Sequence, residues 1–308
     1  MSDLFNHIDK NSPAKIISVS RRTDIPAFYT DWFINRIRAG FCEVANPFNP
    51  QQIAKVSLKP EDVIAFVFWT RNPEPLMKYL PELDEKGYKY YFLYTITGYP
   101  KPLEKSSPTY ASAIKTFQKL SENLGAKKVI WRYDPLILSN LTPVEWHIKN
   151  INNLINDLSG YTERMMLSIV EPYKKTTSRL KNETNEKFIL DSNAFTPETY
   201  YPIFEHIGKT AQARGITPMS CAQKYELGKF GIEHGSCIDQ KLINNITGKQ
   251  YTFTKDPNQR EFCQCAASKD IGAPNSCLFG CPYCYATISH GTALKNFAKH
   301  DKKSTKLL

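Results

Sequence analysis

Six short runs rich in β-branched and aromatic residues mark the first 220 residues, at 16–20, 63–69, 90–96, 128–133, 165–170 and 215–220. Most end in polar or charged side chains and lead toward an amphipathic stretch. Apolar runs of this length, alternating with longer periodic segments, predict parallel strands buried on both faces. Residues 29–39 place Phe33, Ile34 and Ile37 on one helical face. Residues 108–124 repeat Ile114, Phe117, Leu120 and Leu124, and 143–158 repeat Val144, Ile148, Ile151, Leu154, Ile155 and Leu158. Both are helical spacings, and 197–214 is a further candidate. Pro108, Pro143 and Pro197 stand close to the helix starts, where a missing N–H costs little. The pattern predicts an α/β fold, a partial (β/α)6 TIM-like barrel, with an open doubly wound sheet as the alternative.

From about residue 221 the alternation gives way to glycines, cysteines and short polar segments. The expected organisation is a barrel domain over 1–220, an irregular cysteine-rich cap over 221–292 and a basic tail over 293–308. No apolar run approaches the roughly 18 residues of a membrane span, and the first residues lack the apolar core of a secretory signal. A cytoplasmic protein with no membrane partner is expected.

The net charge of +10 raises a polyanionic partner as a possibility. Part of it is local, since Lys295, Lys299, Lys302, Lys303 and Lys306 crowd the last fourteen residues in the manner of a solvated tail. The cysteines change the picture more. Seven of the eight follow residue 220: Cys221, Cys237, Cys263, Cys265, Cys277, Cys281 and Cys284. A secreted disulfide scaffold is short and cysteine-dense throughout. Thiols gathered at one end of a long chain point instead to a metal or cluster. Cys42 stands alone and reads as structural.

Ser276-Cys277-Leu-Phe-Gly-Cys281-Pro-Tyr-Cys284-Tyr285 carries the strongest signal. Three thiolates in Cys-x3-Cys-x2-Cys spacing can ligate three irons of a cubane and leave the fourth open. Gly280 lets the backbone approach closely. Two rival readings exist: Cys281-Pro-Tyr-Cys284 as a glutaredoxin-like dithiol, and a zinc knuckle completed by Cys263 or Cys265. Cys221, Cys237, Cys263 and Cys265 make a full set for a second iron–sulfur cluster or a closed zinc site, or are small core residues.

Polar residues at strand ends form the mouth of a parallel barrel. Arg21, Arg22, Asp24, Arg71, Arg132, Asp134 and Glu171 are the candidates for binding cofactor and substrate. Arginine suits a carboxylate or phosphate, and an acid suits ribose hydroxyls or an amine. His290, near the thiolate loop, is the one histidine of interest.

The cysteine loop, aromatic included, resembles the motif of radical S-adenosylmethionine enzymes. Across nearly the whole chain, Ile17–Pro26, Phe68–Pro73, Trp131–Pro135, Cys263-Gln-Cys265 with Ser268–Gly272, and Cys277–Ala286 resemble an uncharacterised bacterial family of domains of unknown function. That family is noted for C-terminal cysteines of the radical type. The resemblance implies a [4Fe–4S] cluster on Cys277, Cys281 and Cys284, bound S-adenosylmethionine, an electron donor, and a small-molecule or nucleic-acid substrate. In ordinary radical enzymes the loop follows the first strand. Here it follows every strand, as in a circular permutation, and no Gly-Gly-Glu-like segment is evident. The alternative expectation is a metal-stabilised nucleic-acid-binding protein that stacks bases on its 17 Tyr, 17 Phe and 4 Trp.

Overall fold

The computed structural model describes residues 14–47, 49–184 and 197–308. Strand β1 (Lys15–Val19) leads into a single turn α1 (Ile25–Phe28) and helix α2 (Thr30–Ala39). A hairpin, β2 (Phe41–Asn46) and β3 (Asn49–Ser57), precedes β4 (Val63–Thr70), short helices α3 (Glu74–Met77) and α4 (Leu80–Glu85), and β5 (Tyr90–Thr95). Then come α5 (Tyr110–Leu124), β6 (Val129–Leu136), α6 (Val144–Leu158), β7 (Arg164–Ile169), α7 (Lys174–Thr184), α8 (Tyr201–Ala213) and β8 (Thr217–Cys221). The chain closes with β9 (Glu233–Gly235), α9 (Gln240–Thr247), β10 (Lys269–Asp270) and α10 (His290–Phe297).

The fold is mixed α/β around an eight-stranded sheet in the order β10-β1-β4-β5-β6-β7-β8-β9. Every pairing in it is parallel. The six strands expected from the sequence all lie in it. The count of six is corrected to eight, because β9 and β10 from the segment expected as a cap extend the two edges. No pairing joins β9 to β10 among the described residues, so the sheet is not a hydrogen-bonded closed barrel. The expected boundary at 220/221 therefore runs through the sheet at the end of β8.

Strand register sorts the side chains into two faces. Ile17, Phe66, Phe92, Trp131 and Leu167 face α2, α5, α6 and α8 in the main core. Phe68 stacks on Phe92 with ring centroids 4.8 Å apart, and Phe33 of α2 meets Phe66 and Phe68 edge-on. Many of the aromatics considered for base stacking are thus core. Val67, Tyr91, Leu93, Ile130 and Met166 on the other face pack against Cys221, Cys237, Ile238, Ile243, Cys263 and Cys265. Strands β4 and β5 are buried along their whole length, as both-face contact requires.

The last residues are docked. The Trp32 indole donates to the Ser304 carbonyl (3.0 Å), Arg36 to that of Lys303 (3.1 Å), and the Glu43 N–H to that of Thr305 (2.9 Å). With α10 and the buried Leu307, these bonds correct the expectation of a solvated tail. Among the described residues no helix is long and apolar enough to cross a membrane.

His147 of α6 is fully buried. Its Nε2–H donates to the Ile137 carbonyl (2.8 Å), and Nδ1 accepts from the Tyr133 hydroxyl (2.7 Å). Burial pushes its pKa down from 6.5 to about 4. Below pH 6.5 the unfolded chain takes up a proton that the folded chain resists, so this contribution is complete at neutral pH and lost as pH falls through the folded value. The loss amounts to about 3 kcal/mol. Urea midpoints measured across this range should fall with acid in the wild type, and fall less by that amount in His147→Gln.

Candidate functional site

The carboxyl ends of β1, β4, β5, β6, β7 and β8 open on one pocket of about 420 Å³. In a parallel sheet these ends carry the loops that build sites. All seven strand-end candidates line it: Arg21, Arg22 and Asp24 after β1, Arg71 after β4, Arg132 and Asp134 in β6, and Glu171 after β7. Cys277, Cys281 and Cys284 line it too. The last cysteine loop in the chain therefore faces the strand ends.

Long-range bonds hold that loop. The Tyr29 hydroxyl donates to the Ser276 carbonyl (2.7 Å). Arg71 donates to the Tyr283 hydroxyl (2.6 Å) and pairs with Glu104 (2.7 Å). Tyr283 in turn donates to Glu104 (2.5 Å), as does Thr97. Arg179 of α7 donates to the carbonyls of Cys284, Thr287 and Ile288. His290 meets the Leu278 carbonyl through Nε2 at 3.0 Å. Gly280 sits at φ +66°, and a Cβ there would come to 3.0 Å from the His290 ring. Glycine thus meets both a left-handed turn and a close approach.

Asp24 caps α1, accepting from Ala27 N–H (3.0 Å), Thr70 Oγ1 (2.7 Å) and Arg71 N–H (2.6 Å). Burial raises its pKa to about 7 against these bonds. Burial also pushes the Cys277 thiol well up, helped by Cys284 and Asp24. It brings Cys281 to about 12, although the Arg71 charge opposes it. Metal ions bind such sulfurs by displacing their protons.

Arg21 and Arg132 both lie against the Trp69 ring, with guanidinium carbons 5.2 and 4.7 Å from its centroid. Arg132 pairs with Asp134, which also accepts from Ser168. Arg21 reaches Ser268 (3.3 Å) and, at 3.7 Å, Asp256. Arg21 Nη2, Arg132 Nε and Trp69 Nε1 are buried without a partner among the described residues. Buried donors left open in this way suit a polar ligand. Glu171 stands at the exposed rim, paired with Arg260 (3.1 Å). Arg22 contributes its backbone N–H to Ser20 Oγ (3.0 Å).

The other thiols converge on the same pocket. Cys221, Cys263 and Cys265 line it, and Cys237 lies with its sulfur 3.3 Å from that of Cys221. Cys42 is buried beside neither group. None of the cysteines is in a disulfide. Among the described residues, no group of three or more His, Cys, Asp or Glu side chains is arranged, as it stands, to hold a metal ion.

Several site residues carry no sequence signal. Trp69 reads as one more apolar strand residue, Glu104 lies in an unpatterned connection, and Arg179 lies on a polar helix. Asp270 accepts from Ser18 (2.9 Å), Ser20 (2.6 Å), and the Arg21 and Gly272 N–H groups (2.8 and 3.0 Å), so it ties β10 to the start of the site. A Cβ at Gly272 would come to 2.0 Å from Ser20 Oγ, which explains the glycine.

These features define an α/β protein with a thiol-rimmed pocket at the carboxyl ends of a parallel sheet. The chain belongs to the family described as domain of unknown function DUF1848, whose model matches residues 16–286. The match runs from β1 to just past Cys284 and so takes in every candidate strand-end residue and cysteine. No curated protein matches the chain.

Proposed function

We propose that this protein is an iron–sulfur enzyme of radical S-adenosylmethionine type, built on a partial barrel whose mouth is the strand-end pocket. The observation that carries the reading is the meeting of Cys277, Cys281 and Cys284 with Arg71, Arg132 and Asp134 around one pocket, despite the loop's place at the end of the chain. The donor set fits a cubane: three thiols in Cys-x3-Cys-x2-Cys spacing, outside any disulfide, on a loop with glycine at its tight turn. When bound, a reduced cluster with one open iron supplies the electron that cleaves the sulfonium of S-adenosylmethionine.

The chain's own residues bind, orient and exclude water. Arg71, Glu104 and Tyr283 hold the loop against β4 and β5. Arg132 and Arg21 present guanidinium donors for an anionic group, and Asp134 offers a carboxylate for hydroxyls or an amine. Trp69 and the apolar wall limit water in the pocket. The reading includes an external electron donor and a cytoplasmic setting, where thiols stay reduced.

Chromatography of the reduced, cluster-replete protein with S-adenosylmethionine tests it: 5′-deoxyadenosine should form slowly without substrate. Colourless zinc protein that forms none would instead support the metal-stabilised nucleic-acid-binding alternative. Arg132→Ala should weaken cofactor binding by about 1–3 kcal/mol, the worth of one charged hydrogen bond. That is roughly 5- to 150-fold in Kd by titration. An unchanged Kd removes Arg132 from the cofactor site.

A further inference from the structure

We propose that Cys221, Cys237, Cys263 and Cys265 together bind a single thiophilic metal ion, zinc or one iron, as a tetrathiolate centre in the wall of the same pocket. This does not depend on the radical reading of the other cysteine loop.

Four thiols arrive from three separate places: the end of β8, the residue pair after β9, and the loop before β10. All are buried, at 9, 0, 5 and 2% exposure respectively. The Cys221 and Cys237 sulfurs stand 3.3 Å apart, Cys263 and Cys265 line the pocket beside Cys221, and all four thiols belong to one buried cluster. Cysteines used only as small apolar fillers have no reason to place four sulfurs together. A single ion with metal–sulfur bonds of about 2.3 Å sets its sulfurs about 3.8 Å apart on the edges of a tetrahedron. Moving from 3.3 Å to that spacing takes small side-chain rotations. A cubane carries one thiolate on each of four irons and holds its sulfurs further apart, so the close Cys221–Cys237 pair favours one ion.

The surroundings are those of a thiolate centre. The Ile238 N–H donates to the Cys265 sulfur (3.4 Å), and Arg21 lines the pocket beside Cys265. Backbone and charged donors to ligand sulfurs are the outer shell such ions use. The chain around the thiols has little ladder of its own: α9, a bond from Ala266 N–H to the Ile238 carbonyl (3.0 Å), and one bridge between Lys255 and Ala266. An ion joining 221, 237 and 263–265 supplies the missing cross-links.

The test is elemental analysis, with acid-labile sulfide, of anaerobically purified full-length protein. The wild type, the Cys277→Ala/Cys281→Ala/Cys284→Ala triple variant and the Cys263→Ala/Cys265→Ala double variant are compared. The triple variant should retain one zinc, or one iron without sulfide, per chain. Cobalt(II) added to that variant after metal removal should give the charge-transfer and d–d bands of tetrahedral thiolate coordination. The double variant should lose that ion, and the triple variant keeps the test valid if the double variant fails to fold. A metal-free triple variant that takes up no cobalt overturns the proposal. So does a Cys221–Cys237 disulfide seen by mass spectrometry, or four irons with sulfide in the triple variant. Failure of the radical reading shows up separately, as no iron difference between wild type and triple variant.

Discussion

Cys281→Ala protein, reconstituted anaerobically with iron and sulfide, should hold about four fewer irons per chain than the wild type and lose the absorbance near ~400 nm. Cys281 is the middle cysteine of its loop and feels the charge of Arg71, which is paired with Glu104 and Tyr283. Two remaining thiolates cannot hold three corners of a cubane. Burial brings the thiol to about 12, so a metal bound there would take the place of its proton. Alanine removes little volume at a half-buried position, so the thermal melt of the metal-free variant should stay close to that of metal-free wild type. 5′-Deoxyadenosine formation should vanish with the iron. Wild-type iron content in the variant would remove this loop from cluster binding.

Glu104→Ala should be the most destabilising single change at the site, by about 3–5 kcal/mol. One oxygen, Oε1, accepts from Arg71 (2.7 Å), from Tyr283 (2.5 Å) and from Thr97. The carboxylate is 5% exposed and its guanidinium partner 12%, so solvent compensates neither. Removing the acid leaves a buried cation with only Thr97 at 3.4 Å and the Tyr283 hydroxyl. Arg71→Met combined with Glu104→Ala removes both charges and should recover much of the loss. Urea denaturation of the singles and the double measures this. A single-variant loss below about 1 kcal/mol, the range of exposed pairs, would mean the pair is solvated. Because Tyr283 lies between Cys281 and Cys284, the same variant should also take up iron less completely.

Much of the frame is legible in the chain. Strands β4 and β5 are apolar runs because helices cover one face and the 221–266 segment the other. Helices α2, α5 and α6 carry their apolar stripes at helical spacing. The β2–β3 hairpin escapes such reading because the first seven residues of β3 put no periodic apolar face inward: Asn49–Lys55 are exposed. β10 is two residues long, Lys269–Asp270, and is a strand only because the edge of β1 accepts it.

The site divides along the same line. Local spacing is a property of the chain, so Cys277, Cys281 and Cys284 stand out by themselves, as do charged residues placed just after buried runs. Their meeting is not local. Glu104 reaches Tyr283 across 179 residues, and Ser20 reaches Asp270 across 250. Nothing near Glu104 or Asp270 in sequence marks them, and Trp69 becomes a platform only when Arg21 and Arg132 arrive on its ring. By itself the sequence determined the six strands β1 and β4 to β8, the helices α2, α5, α6 and α8, the pairing of buried runs with polar ends, and the thiol spacings, because each follows from residues within a few positions of one another. Tertiary structure alone decided that the last loop turns back onto the first strands, that four scattered thiols converge, and that the basic C-terminus docks on α2. Those outcomes depend on bonds between segments that only packing brings into reach.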